Sequence, residues 1–370
     1  MGQGRGGLIS ASLLGLAVLA ASVALVFIEG ETPRIAEPAA AAVPSTPPAD
    51  PPEAVPSTPP VDPPKVDSLA VPPKAFSPAP FRNFSPAELA EMIEVTDEGR
   101  LPRVSPSGWM PWIAHARRFD PAGPPARVGV LVINLGASQA LMKRAIDELP
   151  GEVSLAFLAG TPDLPRWLRE AHEHGHETYL MLPVEDPNGP AERGLRPIQT
   201  SATPAANLRR LRAAMARGEG YVGFVIASPG PVSQTDSVVA PLLKEIADRG
   251  LALIEISPSP ATVTVQRLTA DLGTGYTRTA DVLDYTLAAG GVAGNLDRLV
   301  AWVGKTAAEQ PARHGFGVVQ PGDEAIDAIV AWFRRRSEWP AVSFVPIIGH
   351  FECRDTCMTR VRAQPAQLRP

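Results

Sequence analysis

From Arg127 onward, short apolar segments alternate with longer amphipathic ones, and this alternation constrains the fold more than any other feature of the sequence. The apolar segments have the length and the branched aliphatic content of strands, whereas the amphipathic ones repeat at helical spacing. Strands that are apolar on both faces are typical of parallel sheets covered by helices. We therefore predict an α/β fold with about seven parallel strands, at residues 128–135, 153–158, 177–182, 221–227, 251–256, 316–319 and 342–347.

Helices are predicted in the intervening segments. A strand and helix series of about 230 residues favours a closed or nearly closed β/α barrel, and a doubly wound open sheet is the alternative. In both architectures we expect a functional site at the carboxyl ends of the strands. The predicted helices cover residues 138–149, 163–174, 204–216, 236–249, 261–272, 295–308 and 324–336.

A long uncharged segment lies near the start of the chain. Leu8 to Phe27 is a run of 20 residues without a charge, which is long enough to cross a bilayer as a helix. Arg5 precedes this run and Glu29 and Glu31 follow it, so the charges favour a cytoplasmic N-terminus. We predict an uncleaved single-pass anchor in the inner membrane with the C-terminal domain in the periplasm. A cleaved signal peptide is the alternative.

Proline dominates the segment that follows. Of 42 prolines, 16 lie between Glu31 and Pro80, where a twelve-residue unit beginning at Val43 is repeated from Val55. Such a segment cannot bury a core, and we predict a disordered, extended linker. The predicted organisation is an anchor at 1–30, the linker at 31–80, an extension packing on the barrel at 81–126, the β/α domain at 127–350 and a C-terminal tail at 351–370.

The extension at 81–126 begins with a helix signal. Ser85, followed by proline and by Glu88, predicts a capped helix that runs to about Glu94. The residues after this helix are loop-like and include Trp109 and Trp112, which we expect to pack on the barrel.

Charge and composition exclude some function classes. The net charge of −5 leaves no basic surplus for binding phosphates, so we expect no nucleic-acid partner. Cys353 and Cys357 are too few for a metal site, and a small disulfide or two free thiols is the expectation. His172 and His176 have the spacing of a helical metal pair. They straddle a predicted helix end and lie at the amino end of a strand, so we expect no metal or other cofactor there.

The predicted strand ends carry few chemically active groups. The candidate catalytic residues are Glu185, Asp281 and Asp284, and the acidic pair Glu185 and Asp186 could act in proton transfer. Hydrogen bonding within loops is the alternative for all of these carboxylates. The candidate ligand-binding residues are Asn134, Glu185, Ser228, Glu255 and Gln320.

Several strand-end motifs occur in an order that resembles a known family. They include VGVLVINLGAS from residue 128, SLAFLAGTPD from residue 154, GHETYLMLPVE from residue 175 and TADVLDYTLAAGG from residue 279. Over residues 111–333 the sequence resembles the divergent polysaccharide deacetylases, the NodB-like proteins of bacterial envelopes. The resemblance implies a NodB-like β/α barrel with a divalent metal held by one aspartate and two histidines. It also implies a second aspartate that acts as a base on an acetylated sugar.

The positions that the family uses for chemistry are changed in this sequence. Ile133 and Asn134 stand where the family has an Asp-Asp pair, and Met181 stands where it has a histidine. Val225 to Ala227 replaces an Asn-Asn-His type cluster, and Gln320 replaces the histidine of a Gly-His-Pro end. Without these groups a catalytic metal has no ready ligands. The sequence therefore favours a domain without metal and without the family reaction.

The resulting hypothesis is a membrane-anchored envelope protein, linked to carbohydrate metabolism, that binds an envelope glycan or an envelope protein. An active carbohydrate deacetylase or hydrolase with a rearranged acidic site is the first alternative. A structural envelope tether, in which the proline-rich linker matters most, is the second.

Overall fold

The computed structural model of the chain describes residues 83–186, 194–257, 264–284, 290–304 and 314–351. The strands are β1 (Ile93–Thr96), β2 (Gly99–Pro102), β3 (Ala126–Leu135), β4 (Ser154–Leu158), β5 (Thr178–Met181), β6 (Gly223–Ala227), β7 (Ala252–Ile256), β8 (Tyr276–Arg278), β9 (Asp281–Val282), β10 (His314–Val319) and β11 (Val342–Phe344). The helices are α1 (Pro86–Ala90), α2 (Pro111–Ala114), α3 (Gln139–Glu148), α4 (Leu164–Glu173), α5 (Pro204–Met215), α6 (Pro231–Gln234), α7 (Asp236–Asp248), α8 (Thr264–Leu272), α9 (Gly291–Gly304) and α10 (Asp323–Phe333), with 3₁₀ turns at Arg336–Glu338 and Ile347–His350.

The main sheet is parallel throughout and follows the chain order. Its strands run β8, β7, β6, β5, β4, β3, β10 and β9 from edge to edge, and β11 pairs with the first residues of β3. The two edge strands, β8 and β9, are separated in the chain by only Thr279 and Ala280. The Thr279 amide donates to the Glu255 carbonyl of β7, and the Ala280 amide donates to the Phe316 carbonyl of β10. The sheet therefore curves into a half-barrel whose two ends belong to one stretch of chain, and the predicted α/β fold with parallel strands is confirmed.

Alternate residues of each strand belong to two separate apolar cores. The concave face buries side chains from most of the strands, among them Leu131, Tyr179, Ile254 and Phe316. The convex face packs against the surrounding helices through the intervening residues, such as Val130. Strands with apolar residues on both faces are what a parallel sheet covered by helices requires.

The amino end of the half-barrel is closed by segments from outside the strand series. Trp112 of the extension and Ile347, Ile348 and Phe351 from the end of the described chain join the concave core, and all four are completely buried. The Trp112 and Phe351 rings meet edge to face, with their centroids 5.6 Å apart. Trp112 of the extension is thus part of the core of the half-barrel.

The structure differs from the predicted elements in several places. The helix expected from Ser85 to about Glu94 ends at Ala90, because the period-two alternation beginning at Ile93 suits a strand better than a helix. The strand predicted at 342–347 is limited to Val342–Phe344. It pairs with the start of β3, a part of β3 that β4 does not reach because β4 pairs with β3 only from Leu131 onward. The short strands β8 and β9 were not predicted, because neither contains an apolar run.

The predicted membrane anchor, Leu8 to Phe27, lies outside the described residues, as do the proline-rich linker and the two cysteines. Among the helices that are described, none has both the length and the apolar character needed to cross a bilayer.

Candidate functional site

The carboxyl ends of the strands form an open end of the half-barrel, which we call the mouth. Its floor consists of apolar side chains that each retain slight exposure: Ile133 is 7 % exposed, Leu158 6 %, Met181 8 % and Ile256 8 %. The next residue inward on β3, Leu131, is completely buried. The mouth therefore reaches an apolar layer. Residues 187–193, 258–263 and 285–289, which follow β5, β7 and β9 in the sequence, lie outside the described part of the chain.

Three of the residues predicted from the sequence meet at one side of the mouth. The side-chain amide of Asn134 donates to Oε1 of Gln320 over 3.0 Å. The backbone amide of Gln320 donates to Oδ2 of Asp284 over 2.7 Å. These contacts join the ends of β3 and β10 with the turn after β9. We call Asn134, Gln320 and Asp284 the amide rim.

Local backbone geometry positions the first member of this rim. Asn134 has a φ of 57°, in the left-handed region that asparagine tolerates better than most residues. Gly136 follows with a φ of 145°, and a Cβ built on it would lie 2.2 Å from the Thr161 hydroxyl. The Asn-Leu-Gly sequence thus allows a sharp exit from β3 that brings the Asn134 amide beside Gln320.

The remaining candidate carboxylates, Glu185 and Asp281, accept hydrogen bonds from groups near them in the sequence. Both the backbone amide and the hydroxyl of Thr200 donate to Oε1 of Glu185, over 2.8 and 2.6 Å. These hydrogen bonds lower the pKa of Glu185, so that its carboxylate is ionised at neutral pH and is poorly suited to act as a general acid. Asp281 accepts a hydrogen bond from the amide of Val282 over 2.8 Å. Thr200 was not singled out from the sequence, because nothing local marks it as a partner of Glu185.

The other two predicted ligand-binding residues are placed differently. Ser228 follows β6 and is 4 % exposed, and its hydroxyl has no hydrogen-bond partner among the described residues. Glu255 is completely buried and accepts a hydrogen bond from the Tyr276 hydroxyl over 2.5 Å. Since Ile254 and Ile256 face the concave core, Glu255 between them points to the helix layer. The structure therefore does not bring Glu255 to the amide rim.

The described mouth does not fit the metal site that the family resemblance implies. Ile133 and Met181 supply apolar side chains where an aspartate and a histidine would be ligands. Asp284 already accepts a hydrogen bond from a backbone amide. Across the described ranges, no three His, Cys, Asp or Glu side chains are grouped closely enough to share a metal ion. The amide rim offers two neutral carboxamides and one carboxylate, and these groups suit hydrogen bonding better than metal coordination.

The histidine-rich segment before β5 has structural contacts instead. His176 is buried, with Nδ1 2.8 Å from the Val153 carbonyl and Nε2 3.0 Å from the Ile146 carbonyl. Exposed His174 contacts the Glu170 carbonyl. Nε2 of His174 lies 3.6 Å from Oδ1 of Asp147, so the ring nitrogens of these two histidines face different partners rather than a common centre.

Comparisons with known proteins agree with this fold. A family model described as "Divergent polysaccharide deacetylase" matches residues 130–347, more than half of the chain. The solved structure of uncharacterized protein ATU2773 from Agrobacterium tumefaciens C58 is 27 % identical, with a TM-score of 0.60, over 68 % of this chain and 98 % of that chain. No match was found among curated proteins.

Two other solved structures are more distant. A protein from Enterococcus faecalis V583 (EF3048), provisionally named for cellobiose-phosphate cleavage, is 12 % identical over 60 % of this chain and 97 % of that chain, with a TM-score of 0.42. An AP endonuclease, family 2, from Brucella melitensis is also 12 % identical, over 57 % and 98 % of the two chains, with a TM-score of 0.32. These similarities are too weak to bear on function.

Proposed function

Because this chain belongs to the divergent polysaccharide deacetylase family, we propose that its mouth is a glycan-binding site that does not carry out the metal-dependent deacetylation. One observation carries the proposal. The amide rim places carboxamide groups and a carboxylate over an apolar floor, at the end of the sheet where ligands of α/β proteins bind.

The chemistry of the rim suits a sugar better than a reaction. Carboxamides both donate and accept hydrogen bonds, so they match sugar hydroxyl and acetamido groups. The Ile133 and Met181 side chains below them offer apolar contact to a sugar ring face or a methyl group. Neither side chain can bind a metal as an oxygen or imidazole ligand. The ligand class we propose is therefore an N-acetylated envelope glycan, recognised without turnover.

The proposal includes a location. The uncharged segment from Leu8 to Phe27 would anchor the chain in the inner membrane. The proline-rich segment would then let the domain reach glycans in the periplasm. An envelope protein that presents similar hydrogen-bonding groups is the alternative partner.

Binding and turnover can be measured together. The expected result is that oligomers of N-acetylglucosamine bind saturably and shift the NMR signals of the Asn134 and Gln320 side-chain amides, while no acetate is released with added Zn²⁺ or Co²⁺. The double variant Asn134→Gly, Gln320→Ala should weaken binding about tenfold or more, because two groups able to bind the sugar are removed. De-N-acetylated oligomers should bind more weakly than acetylated ones.

The matched control is Asn83→Gly, since Asn83 is an exposed asparagine that contacts Arg118 outside the mouth. It should bind as the unaltered protein does. Metal-dependent release of acetate that is lost in Asp284→Asn would overturn the proposal and establish the active-enzyme alternative. Binding unaffected by the double variant would place the glycan elsewhere.

A further inference from the structure

A groove of about 770 Å³ lies between the N-terminal extension and the half-barrel, away from the mouth. One wall is formed by Leu89 of α1 and Ile93 of β1, and the other by Leu168 of α4. The loop that precedes β6 contributes Arg217. None of the residues that line the groove belongs to the amide rim or to the apolar floor of the mouth, so the groove is a separate site.

The walls of the groove are incompletely covered. None of the residues of α1 is buried, although Leu89 turns toward α4. The apolar surface also continues beyond the groove, because Val95 lies on the same face of β1 as Ile93 and is 76 % exposed. An apolar strip that extends past the cavity fits an extended chain better than a compact small molecule.

The charge in the groove is positive. It contains three arginines and one glutamate, and Arg100 is paired with Glu219 over 2.5 Å. Arg169 is exposed, and Arg217 donates through Nε to the Ala159 carbonyl. In the described residues, neither Arg169 nor Arg217 forms an ion pair with a carboxylate. The groove therefore combines an apolar floor with two guanidinium groups that have no counter-charge.

We propose that this groove binds an extended acidic segment of a partner protein. Aliphatic side chains of the segment would contact Leu89 and Ile93, and its carboxylates would bind Arg169 and Arg217. Alternate side chains of an extended segment point to opposite sides. A segment in which aliphatic and acidic residues alternate can therefore direct its aliphatic side chains to the apolar wall and its carboxylates to the arginines. The site is independent of glycan binding at the mouth.

The test uses the full chain and a random library of displayed 12-residue peptides. We expect selection on the unaltered protein to enrich peptides that contain Asp and Glu together with Leu and Val. Selection on the Arg169→Glu variant should not enrich these peptides. A synthetic peptide of alternating Leu, Asp, Val and Glu should then bind by fluorescence anisotropy. Its affinity should fall about tenfold or more in Arg169→Glu and in Arg217→Gln. Added salt should weaken binding, because the contacts are exposed charges.

Arg166→Glu is the matched control, because Arg166 is an exposed arginine of the same helix that does not line the groove. It should change the affinity less than twofold, whereas Val95→Asp should weaken binding without unfolding the protein. Equal binding of a peptide with lysine at the acidic positions would overturn the proposal, as would an equal loss in Arg166→Glu and Arg169→Glu. Saturable binding of dodecanoate without peptide binding would assign the groove to a small amphiphile and overturn the peptide proposal.

Discussion

At the scale of single residues, the mouth depends on one asparagine in an unusual conformation. Asn134 takes a φ of 57° and contacts Gln320, whose sequence position is 186 residues away. A left-handed residue other than glycine costs free energy, and asparagine is among the side chains that reduce this cost. Asn134 therefore has two roles: it lowers the cost of the left-handed backbone conformation, and it supplies a side chain of the amide rim.

These two roles can be separated by a pair of substitutions. In Asn134→Gly the left-handed conformation costs less free energy, but the side-chain hydrogen bond is lost. Because these two effects oppose each other, the free energy of unfolding should change by less than about 1 kcal/mol. Asn134→Ala removes the same hydrogen bond but forces a Cβ into the left-handed region, and it should be about 1 kcal/mol less stable than the glycine variant. Urea unfolding measures both. Equal stability of the two variants would show that the conformation at 134 is not maintained in solution.

At the scale of elements, the end of the described chain is attached to the sheet by a buried carboxyl group. Oε1 of Glu177 accepts hydrogen bonds from the Tyr179 hydroxyl (2.6 Å) and the Ile348 amide (3.1 Å). Oε2 accepts one from the Arg117 amide (3.0 Å). Burial raises the pKa of Glu177 to about 7, although these donors oppose the shift. This group connects β5, the extension and the 3₁₀ turn at Ile347–His350.

The raised pKa predicts a pH dependence of stability. Between its ordinary pKa of 4.5 and about 7, Glu177 binds more protons in the native state than in the unfolded state. The free energy of unfolding should therefore fall as the pH rises through this range. The contribution of this group is about 3 kcal/mol over the full range, from 1.36 kcal/mol per pKa unit.

Glu177→Gln lacks the titrating group, so its stability relative to the unaltered protein should improve by that amount between pH 4.5 and 7. The measurement is urea unfolding of both proteins across that range. Glu338→Gln is the control, because Arg335 lowers the pKa of the exposed Glu338 carboxyl and keeps it ionised throughout. Parallel stability curves for Glu177→Gln and the unaltered protein would contradict the assigned pKa.

At the scale of the whole molecule, the concave core is completed by residues from both ends of the described chain. Trp112 precedes the strand series and Phe351 follows it, and both are completely buried at the amino end of the half-barrel. A half-barrel core without these segments would be open to water at that end. The extension and the final described residues are thus part of the folding unit rather than appendages.

This arrangement predicts a large effect of truncating the closing side chain. Phe351→Ala should lower the free energy of unfolding by about 3–5 kcal/mol, as expected for a phenylalanine removed from a packed core. Val95→Ala, at a residue that is 76 % exposed, should change it by less than about 0.5 kcal/mol. Thermal and urea unfolding provide the comparison. A loss below 1 kcal/mol for Phe351→Ala would mean that the final segment does not close the core.

The sequence by itself determined the elements whose periodicity is local. The parallel strands from β3 to β7 with β10, and the helices between them, follow from apolar runs and helical spacing within a few residues of each other. The sequence also identified Asn134 and Gln320 as residues at the ends of apolar runs, and Asp284 as a strand-end candidate through its place in the order of motifs. It also located Ile133, Asn134, Met181 and Gln320 at positions where the family resemblance implies catalytic or metal-binding groups.

Only the tertiary structure decided how distant segments meet. The contact between Asn134 and Gln320, the orientation of Glu255 toward the helices and the pairing of β11 with β3 depend on residues far apart in the chain. The same is true of the groove beside α1, whose arginines and glutamate come from β2, α4 and the loop before β6. Local periodicity reports which face of an element is apolar. It carries no information on which partner will cover that face, because the partner is selected by packing of the whole chain.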